Sequence, residues 1–321
     1  MNTLYYIRFY ILLWFTNHFN KEKVNPIEKD GWVLIFHDEF QGNKLDEKRW
    51  TTNEHWGYIK HGVAWLKEQI SIKNGICNLI TDKYTGPNPV KDLDGKIKFI
   101  DNASGMLCSN PMLYRKYGYY EIRCKVPPKG IKYWPAFWFE SKKSWPPEID
   151  VFELMSPNSS KRMIMTYHWL DDKENKDQIN ALIIQCYTKK LIPYIPKTDI
   201  NDVIQLLQIG WTQEKQEYID NINKLRVHKK HHTGFSGYNW SKKYHTFAVN
   251  WEPKKITWYV DNIAVFRIKE NQWVNFGKRI KLPEYPMYAI INNAAQPGYK
   301  FKSNEIPMSM PVNYFRVYEK E

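Results

Sequence analysis

From Gly31 onward, apolar and polar positions alternate in short runs rich in Val, Ile, Tyr and Trp, and Gly, Pro or Asn separates the runs. A period of two residues predicts β-strands with one buried face. The pattern is clearest in residues 68–81, where two alternating runs flank Asn74 and Gly75, a pair that two-residue hairpin turns favour. The alternation predicts an all-β domain with a hairpin at this position.

Other stretches refine this picture. Residues 83–100 carry Gly and Pro and predict a loop, whereas residues 117–126 and 133–139 alternate and predict two strands that line one concave sheet. Residues 171–232 depart from the β pattern and are interpreted as a helical insertion. This insertion either borders a binding cleft or is a solvated decoration without a role. The predicted helical segments are residues 171–178, 200–209 and 212–225.

Three carboxylates lie within residues 148–153, a run whose Val, Ile and Phe favour an extended chain. Glu148 and Asp150 share a face of a strand, and a β-bulge between Asp150 and Glu153 would bring the third acid to that face. The two glutamates would then approach the separation of about 5–5.5 Å expected of a retaining glycosidase. Asp150 would keep one acid protonated while the other ionises. The alternative is a solvated strand face with three unrelated acids.

The motifs around these acids have a distinctive order. YGYYEIR (residues 117–123) precedes a loop with Gly130, and WPAFW (residues 134–138) and EIDVFE (residues 148–153) follow. This order resembles the family 16 glycoside hydrolases, which are endo-acting β-glucanases and β-galactanases built on a jelly roll. The resemblance covers residues 30–170 and 233–319. Other matching runs are residues 32–50, 244–251, 256–261 and 312–318.

The resemblance implies an all-β, jelly-roll β-sandwich (concanavalin-A-like) with the helical insertion, in a single domain of residues 29–321. It implies that Glu148 is the nucleophile and Glu153 the general acid/base of a retaining endo-β-glycosidase. Asp150 would hold Glu148 and modulate its ionisation. The implied substrate-binding residues are Trp134, Trp138, Trp145, Glu121, Arg123, His168 and Asn292.

Some of these residues have a structural alternative. Trp138 fits the core as well as a sugar platform. Glu121 and Arg123 share a strand face and could form a cross-strand salt bridge, and a single histidine such as His168 is more often structural.

The expected substrate is β-1,3-glucan or mixed-linkage β-1,3-1,4-glucan. Alternatives are a β-galactan such as agar or carrageenan, transglycosylation by the same residues, and a non-catalytic carbohydrate-binding jelly roll. A structural coat or matrix protein is a further alternative. The intact acids at positions 148, 150 and 153 argue against the last two, since neither needs them.

Composition changes this picture in two respects. The 14 Trp and 22 Tyr exceed what a core requires, so part of them would serve as stacking platforms for sugar rings. The formal net charge of +13 indicates either an acidic polysaccharide or matrix, or a lysine-rich coding bias. The sequence contains no recognisable nucleic-acid-binding motif. We therefore expect a polysaccharide as the partner of a monomeric protein.

The N-terminal segment, residues 1–28, is interpreted as a weak export signal, and the alternatives are an N-terminal strand or a disordered tail. Its apolar run, residues 1–16, is too short to span a bilayer, so we expect a secreted, extracellular or periplasmic protein. No cofactor or catalytic metal is expected. Many members of the family hold a structural Ca²⁺, for which Glu39 and the Gly42 carbonyl are candidates, but Asn313 replaces the family's aspartate and weakens such a site.

Overall fold

The computed structural model describes residues 24–53, 59–60, 62–128, 133–154, 162–170, 176–184, 241–274, 278–295 and 299–321. This part of the chain contains 21 strands and one turn of 3₁₀ helix, Lys67–Gln69. The first eleven strands are β1 (Trp32–Asp38), β2 (Ile59–Lys60), β3 (Val63–Trp65), β4 (Ile70–Lys73), β5 (Ile76–Lys83), β6 (Val90–Lys91), β7 (Ile97–Lys98), β8 (Asn102–Ser104), β9 (Met106–Cys108), β10 (Gly118–Cys124) and β11 (Ala136–Glu140). The others are β12 (Glu148–Glu153), β13 (Arg162–Leu170), β14 (Lys176–Ile184), β15 (His245–Glu252), β16 (Lys255–Val260), β17 (Ile263–Lys269), β18 (Trp273–Val274), β19 (Lys278–Arg279), β20 (Tyr288–Asn292) and β21 (Met308–Lys320).

Two large sheets form the fold. The eleven-stranded sheet has the order β17-β16-β15-β10-β21-β5-β8-β3-β2, with β1 beside β21 and β4 beside β5. The six-stranded sheet has the order β14-β13-β12-β11-β20-β9. Their neighbours pair antiparallel except β3 and β8, which are parallel. The two sheets pack as a β-sandwich of jelly-roll type, which confirms the predicted fold class.

The main core lies between the two sheets, and the alternation along each strand decides which side chains enter it. Tyr120 and Ile122 of β10 enter this core, and the Tyr120 ring meets Phe139 of β11 with centroids 4.7 Å apart. Burying one such side chain stabilises the fold by about 1.5–3 kcal/mol. The intervening positions of β10, such as Glu121, point away from the core. Each sheet therefore has an outer face.

The sandwich thus has two outer faces, which we call the front face and the back face. The front face is the outer face of the six-stranded sheet and carries Glu148, Asp150 and Trp138. The back face is the outer face of the eleven-stranded sheet and carries Glu121 and Arg123. The main core separates them.

The predicted hairpin is present as β4 and β5. Asn74 and Gly75 have φ angles of 54° and 71°, in the left-handed region that a tight hairpin turn requires. The predicted loop at residues 83–100 contains a small hairpin of its own, β6 and β7, so that prediction was incomplete. Asp92 fixes it by accepting a hydrogen bond from Lys98 at 2.6 Å.

The helix prediction for residues 171–178 is wrong for the described residues of that segment. Residues 176–178 begin β14, which pairs with β13 from Leu170 opposite Lys176 to Arg162 opposite Ile184. The β-branched residues that follow favour an extended chain, and β13 offers a backbone edge for pairing. The other two predicted helices, residues 200–209 and 212–225, lie outside the described residues.

Residues 24–28 contact the back face, although the sequence analysis grouped them with the N-terminal segment. Arg316 Nη1 donates to the Asn25 carbonyl at 2.8 Å, and the Tyr318 hydroxyl donates to the Ile27 carbonyl at 3.0 Å. Residues 1–23 lie outside the described residues. Among the described residues, no helix has the length and apolar character needed to cross a membrane.

Candidate active site

Strand β12 lies between β11 and β13 and presents its acids on the front face. Because strands in register align their side chains across a sheet, each acid belongs to a row of neighbours. By Cα register the rows are Glu140, Glu148 and His168; Trp138, Asp150 and Thr166; and Ala136, Glu153 and Ile164.

The predicted β-bulge is present. The register of β12 against β13 shifts between Asp150 and Glu153. As a result Val151 and Phe152 both enter the core, where the Phe152 ring packs against Phe247 at 4.6 Å. Two consecutive inward residues return Glu153 to the front face, so all three acids share it.

Glu148 is held by an indole and lies beside an imidazole. Trp145 Nε1 donates a hydrogen bond to Glu148 Oε2 at 2.6 Å, and His168 Nε2 lies 3.6 Å from Glu148 Oε1. The Trp145 ring is 45% exposed and packs against the His168 ring at a centroid distance of 5.7 Å. The predicted residues Trp145 and His168 therefore both meet Glu148.

Asp150 is the most enclosed of the three acids, with an exposed fraction of 1%. Its side chain lies beside Glu148 on the same face of β12 and opposite Thr166 of β13, and His168 Nε2 lies 3.3 Å from its Oδ2. Trp258 Nε1, reaching from the opposite sheet, donates to the Asp150 carbonyl at 2.8 Å and anchors the backbone. Asp150 is thus placed to hold Glu148.

Glu153 lies at the other end of the group, near three further predicted residues. Trp134 Nε1 donates to Glu153 Oε1 at 3.0 Å. Trp138 Nε1 donates to Asn292 Oδ1 at 2.8 Å, and Asn292 Nδ2 donates to the Trp134 carbonyl at 3.4 Å. Trp138 is half-buried on the front face, outside the main core.

Burial and mutual repulsion disfavour ionisation of these acids. Burial, with the neighbouring charge of Asp150, raises the pKa of Glu148 from 4.5 to about 8, although His168 and Trp145 act in the opposite direction. Burial also raises the pKa of Asp150, and burial with the charges of Asp150 and Glu148 raises the pKa of Glu153 well above its usual value. At neutral pH the group therefore retains protons, as a site with one acid and one base requires.

Sequence reasoning missed a fourth carboxylate, Glu140. Its side chain is nearly buried, at 7% exposure, and accepts a hydrogen bond from the Tyr288 hydroxyl at 2.6 Å. It lies beside Glu148 in the first row, and its charge adds to the rise in the Glu148 pKa. The signal was present in the sequence, because Glu140 and Trp138 are two residues apart on one strand and must share a face.

Glu121 and Arg123 are the predicted substrate-binding residues that the structure does not bring to this group. They lie on β10, which belongs to the eleven-stranded sheet, and both point to the back face. Glu121 accepts a hydrogen bond from Tyr314 at 2.6 Å, and Arg123 donates to Asn313 at 3.0 Å. The prediction that residues 117–126 and 133–139 line one sheet is wrong, because β10 and β11 lie in opposite sheets.

The residues considered for calcium do not fit a cation. Both carboxylate oxygens of Glu39 accept hydrogen bonds from Arg316, at 2.7 and 2.8 Å. Asn313 accepts from Arg123 and donates to the Gly75 carbonyl at 3.3 Å. Arginine already supplies the positive charge there, so Ca²⁺ would meet a cation where it needs oxygen ligands.

On the front face, Glu148, Asp150 and His168 offer ligand atoms within 4.8 Å of one another. Their contacts with each other and with Thr166 and Trp145 account for this cluster, and we assign no metal to it.

Comparison with known proteins places this geometry in context. Residues 59–191 and 215–305 match the model of Glycosyl hydrolases family 16. The chain is 24% identical over 322 residues to glucan endo-1,3-beta-glucosidase A1 of Niallia circulans, covering 91% of this chain and 38% of that protein. It is 34% identical over 100 residues to endo-1,3-1,4-beta-glycanase ExsH of Rhizobium meliloti (strain 1021), covering 30% of this chain and 20% of that protein. The chain spans less than half the length of either relative.

The fold is also similar to solved structures. The catalytic domain of an endo-1,3-beta-glucanase (laminarinase) from Thermotoga petrophila RKU-1 superposes with a TM-score of 0.57 at 21% identity, covering 90% of this chain and 98% of that chain. At this identity the likeness shows the shared fold.

Proposed function

Because this chain belongs to family 16 of the glycosyl hydrolases, we propose that it is a retaining endo-β-glycosidase acting on β-1,3-glucan or mixed-linkage β-1,3-1,4-glucan. The observation that carries the proposal is the bulged strand β12, which presents Glu148, Asp150 and Glu153 on one face. A solvated strand face would not bury Asp150 to 1% exposure against other acids.

In the first step Glu148 attacks the anomeric carbon of the sugar from its ionised form, which the Trp145 hydrogen bond and the nearby His168 favour, and the glycosidic C–O bond breaks. Glu153 gives its proton to the departing oxygen, and a covalent glycosyl ester of Glu148 remains. The raised pKa of Glu153 supports this role, because an acid must hold its proton until the bond breaks.

In the second step ionised Glu153 takes a proton from water while the water oxygen attacks the anomeric carbon. The ester bond breaks, Glu148 leaves as a carboxylate, and the product keeps the configuration of the substrate. Asp150 lies next to Glu148 on the same face of β12, with ligand atoms of the two side chains within 4.8 Å, and holds it for attack. All steps use side chains of this protein, and the proposal requires no cofactor.

We assign substrate contacts to the residues around these acids. The exposed Trp145 ring is a platform for a sugar, and Trp134, Trp138, His168 and Asn292 border the same face. We further propose that the protein acts as a secreted monomer.

The names of the two relatives favour glucan over galactan as the substrate. The acids of the front face also repel polyanions, which argues against a sulphated polysaccharide. Transglycosylation remains an alternative outcome of the same chemistry, in which a sugar replaces water in the second step.

A polysaccharide panel tests the proposal. The protein is incubated with laminarin, mixed-linkage β-glucan, agar and carrageenan, at low salt and at about 0.5 M salt, where charges are screened within a few Å. We expect new reducing ends from the two glucans, with a KM that hardly changes with salt. NMR should detect the β-anomer of the product before mutarotation produces the α-anomer. Salt-sensitive cleavage of carrageenan alone would make the substrate class wrong. Binding without cleavage of any glycan would indicate a non-catalytic module, and products longer than the substrate would indicate transglycosylation.

A further inference from the structure

We propose that Trp145 and Trp134 are positioning residues, each of which orients one catalytic glutamate through its indole N–H. By binding one carboxylate oxygen, Trp145 determines that the other oxygen of Glu148 attacks. In the same way, Trp134 determines which oxygen of Glu153 carries the proton. The inference rests on the proposed retaining mechanism and adds to it, because the sequence analysis assigned these tryptophans to substrate binding alone.

The Trp145 contact separates the two oxygens of Glu148. The indole holds Oε2 at 2.6 Å, whereas Oε1 lies 3.6 Å from His168 Nε2. An indole N–H is a neutral donor that cannot accept or titrate, so it orients the carboxylate without adding a counter-charge. With Oε2 engaged, Oε1 is the oxygen that attacks, and Oε2 becomes the carbonyl oxygen of the ester and keeps its donor.

The Trp134 contact works on a protonated acid. Trp134 Nε1 lies 3.0 Å from Glu153 Oε1. Because the indole only donates, Oε1 must accept, and since the carbonyl oxygen of a carboxyl group accepts better than its hydroxyl oxygen, this contact favours the proton on Oε2. The backbone of Trp134 is itself fixed, since its N–H donates to the Ala294 carbonyl and its carbonyl accepts from Asn292. This places the proton of Glu153 on a defined side before substrate binds.

Trp138 provides a matched comparison within the same face. Its Nε1 donates to the Asn292 amide oxygen at 2.8 Å and not to a carboxylate. A substitution of Trp138 by Phe therefore removes an indole N–H that donates to an amide and to neither glutamate.

Several charged groups surround each glutamate and influence it when pH is varied. Glu148 faces Asp150 on its own strand, Glu140 on β11 and His168 on β13. Glu153 is influenced by Asp150, Glu148 and His168. Single Glu→Gln variants separate these contributions, because they remove one titrating group and preserve its shape.

The first test needs no substrate. Protein labelled with ¹⁵N-tryptophan is titrated from about pH 5 to pH 9, and the three indole signals are assigned with Trp145→Phe, Trp134→Phe and Trp138→Phe. We expect the Trp145 signal to lose its main transition in Glu148→Gln and the Trp134 signal to lose its main transition in Glu153→Gln. The Trp138 signal should show a smaller transition than either. Signals that do not titrate, or that are unchanged in the matching Gln variant, would overturn the proposal.

The second test compares substrates with poor and good leaving groups. Trp134→Phe should lower kcat about 10- to 100-fold on laminarin, the range for one hydrogen bond to the carboxylate that Glu153 becomes as it gives up its proton, and less than about 3-fold on a dinitrophenyl glycoside, whose leaving group needs no proton. Trp145→Phe should lower kcat on both substrates and move the acid limb of the pH profile upward. Higher substrate concentration should not restore the rate of either variant, because the loss is in kcat.

A pure stacking role predicts a different result. All three Phe variants would then raise KM, with little change in kcat, in the ratio of kcat on laminarin to kcat on the dinitrophenyl glycoside, or in the pH profile. This result would reject the positioning role. A wild-type protein that cleaves no glycan would instead reject the proposed function, while the indole titration would still decide whether the two contacts follow the glutamates.

Discussion

The two outer faces of the sandwich surround their enclosed carboxylates with different neighbours. On the back face each acid meets strong donors: Tyr314 donates to Glu121, and Arg316 donates to both oxygens of Glu39. On the front face Glu148 and Asp150 lie against each other, with another carboxylate, Glu140, in the next strand. Among the described residues, no arginine or lysine forms an ion pair with Glu148, Asp150 or Glu153.

The difference separates a structural use of buried charge from a chemical one. A carboxylate paired with a guanidinium stabilises the fold and stays ionised, so it has no proton to give. A carboxylate beside other carboxylates costs stability but can hold or release a proton near neutral pH. Neutral indole donors orient such acids while leaving their charge uncompensated. Substitutions on each face test this contrast.

The largest expected effect is the loss of the nucleophile on the front face. Glu148→Ala should lower turnover at least about 100-fold and leave the fold and polysaccharide binding largely intact, because the covalent ester cannot form. Initial rates on laminarin measure the loss. Azide with an activated aryl glycoside should restore an inverted product.

The matched change on the back face is Glu121→Gln. It should leave kcat on laminarin unchanged, since the main core lies between Glu121 and the front face. If Glu148→Ala kept more than a few per cent of wild-type turnover, or if Glu121→Gln lost most of it, the assignment of the two faces would be wrong.

The next effect concerns the proton donor. Glu153→Gln should lower kcat on laminarin about 10²–10⁴-fold, the usual value of general acid help. The loss should be far smaller on an aryl glycoside whose leaving group needs no proton. Rates on the two substrates, measured at one pH, give the ratio, and equal losses would exclude the acid role.

The bulge of β12 shows how far sequence can lead at this site. Glu148, Asp150 and Glu153 are separated by spacings that only an extra residue in the strand can reconcile on one face, so local pattern sufficed. The positions of Glu121 and Arg123 could not be found this way. Whether β10 joins the sheet of β11 is decided by long-range pairing with β15 and β21, which alternation does not encode.

Long-range pairing also decided the structure of residues 176–178, which the sequence pattern had predicted to be helical. Their charges suit an exposed helix and an edge strand equally well, and the pairing partner β13 decided between them. Glu140, in contrast, was within reach of sequence reasoning, because its face follows from that of Trp138.

The third effect lies on the back face and should appear in stability alone. Arg316→Met leaves the carboxylate of Glu39 without its partner and should lower the free energy of unfolding by about 2–4 kcal/mol, somewhat less than for a fully buried pair because Glu39 is 25% exposed. Urea unfolding measures the change, and kcat on laminarin should stay the same. The double variant Arg316→Met with Glu39→Met should recover part of the loss, and no recovery would mean that the ion pair is not its source.

The smallest expected effect is a gain in the free energy of unfolding. It tests directly how much stability the buried acids of the front face cost. Burial raises the pKa of Glu148 from 4.5 to about 8, so between these values the folded protein keeps a proton that the unfolded chain has released. The free energy of unfolding therefore falls as pH rises through this window, and the penalty is complete above pH 8 and absent below pH 4.5. Glu148→Gln cannot ionise, so it should be more stable than the wild type at pH 8 by at least about 1 kcal/mol, with little difference at pH 4.5. Thermal unfolding of both proteins at the two pH values measures this, at about 2–4 °C for each kcal/mol in a chain of this size. A variant equally or less stable than the wild type at pH 8 would show that the front face compensates its acids as the back face does.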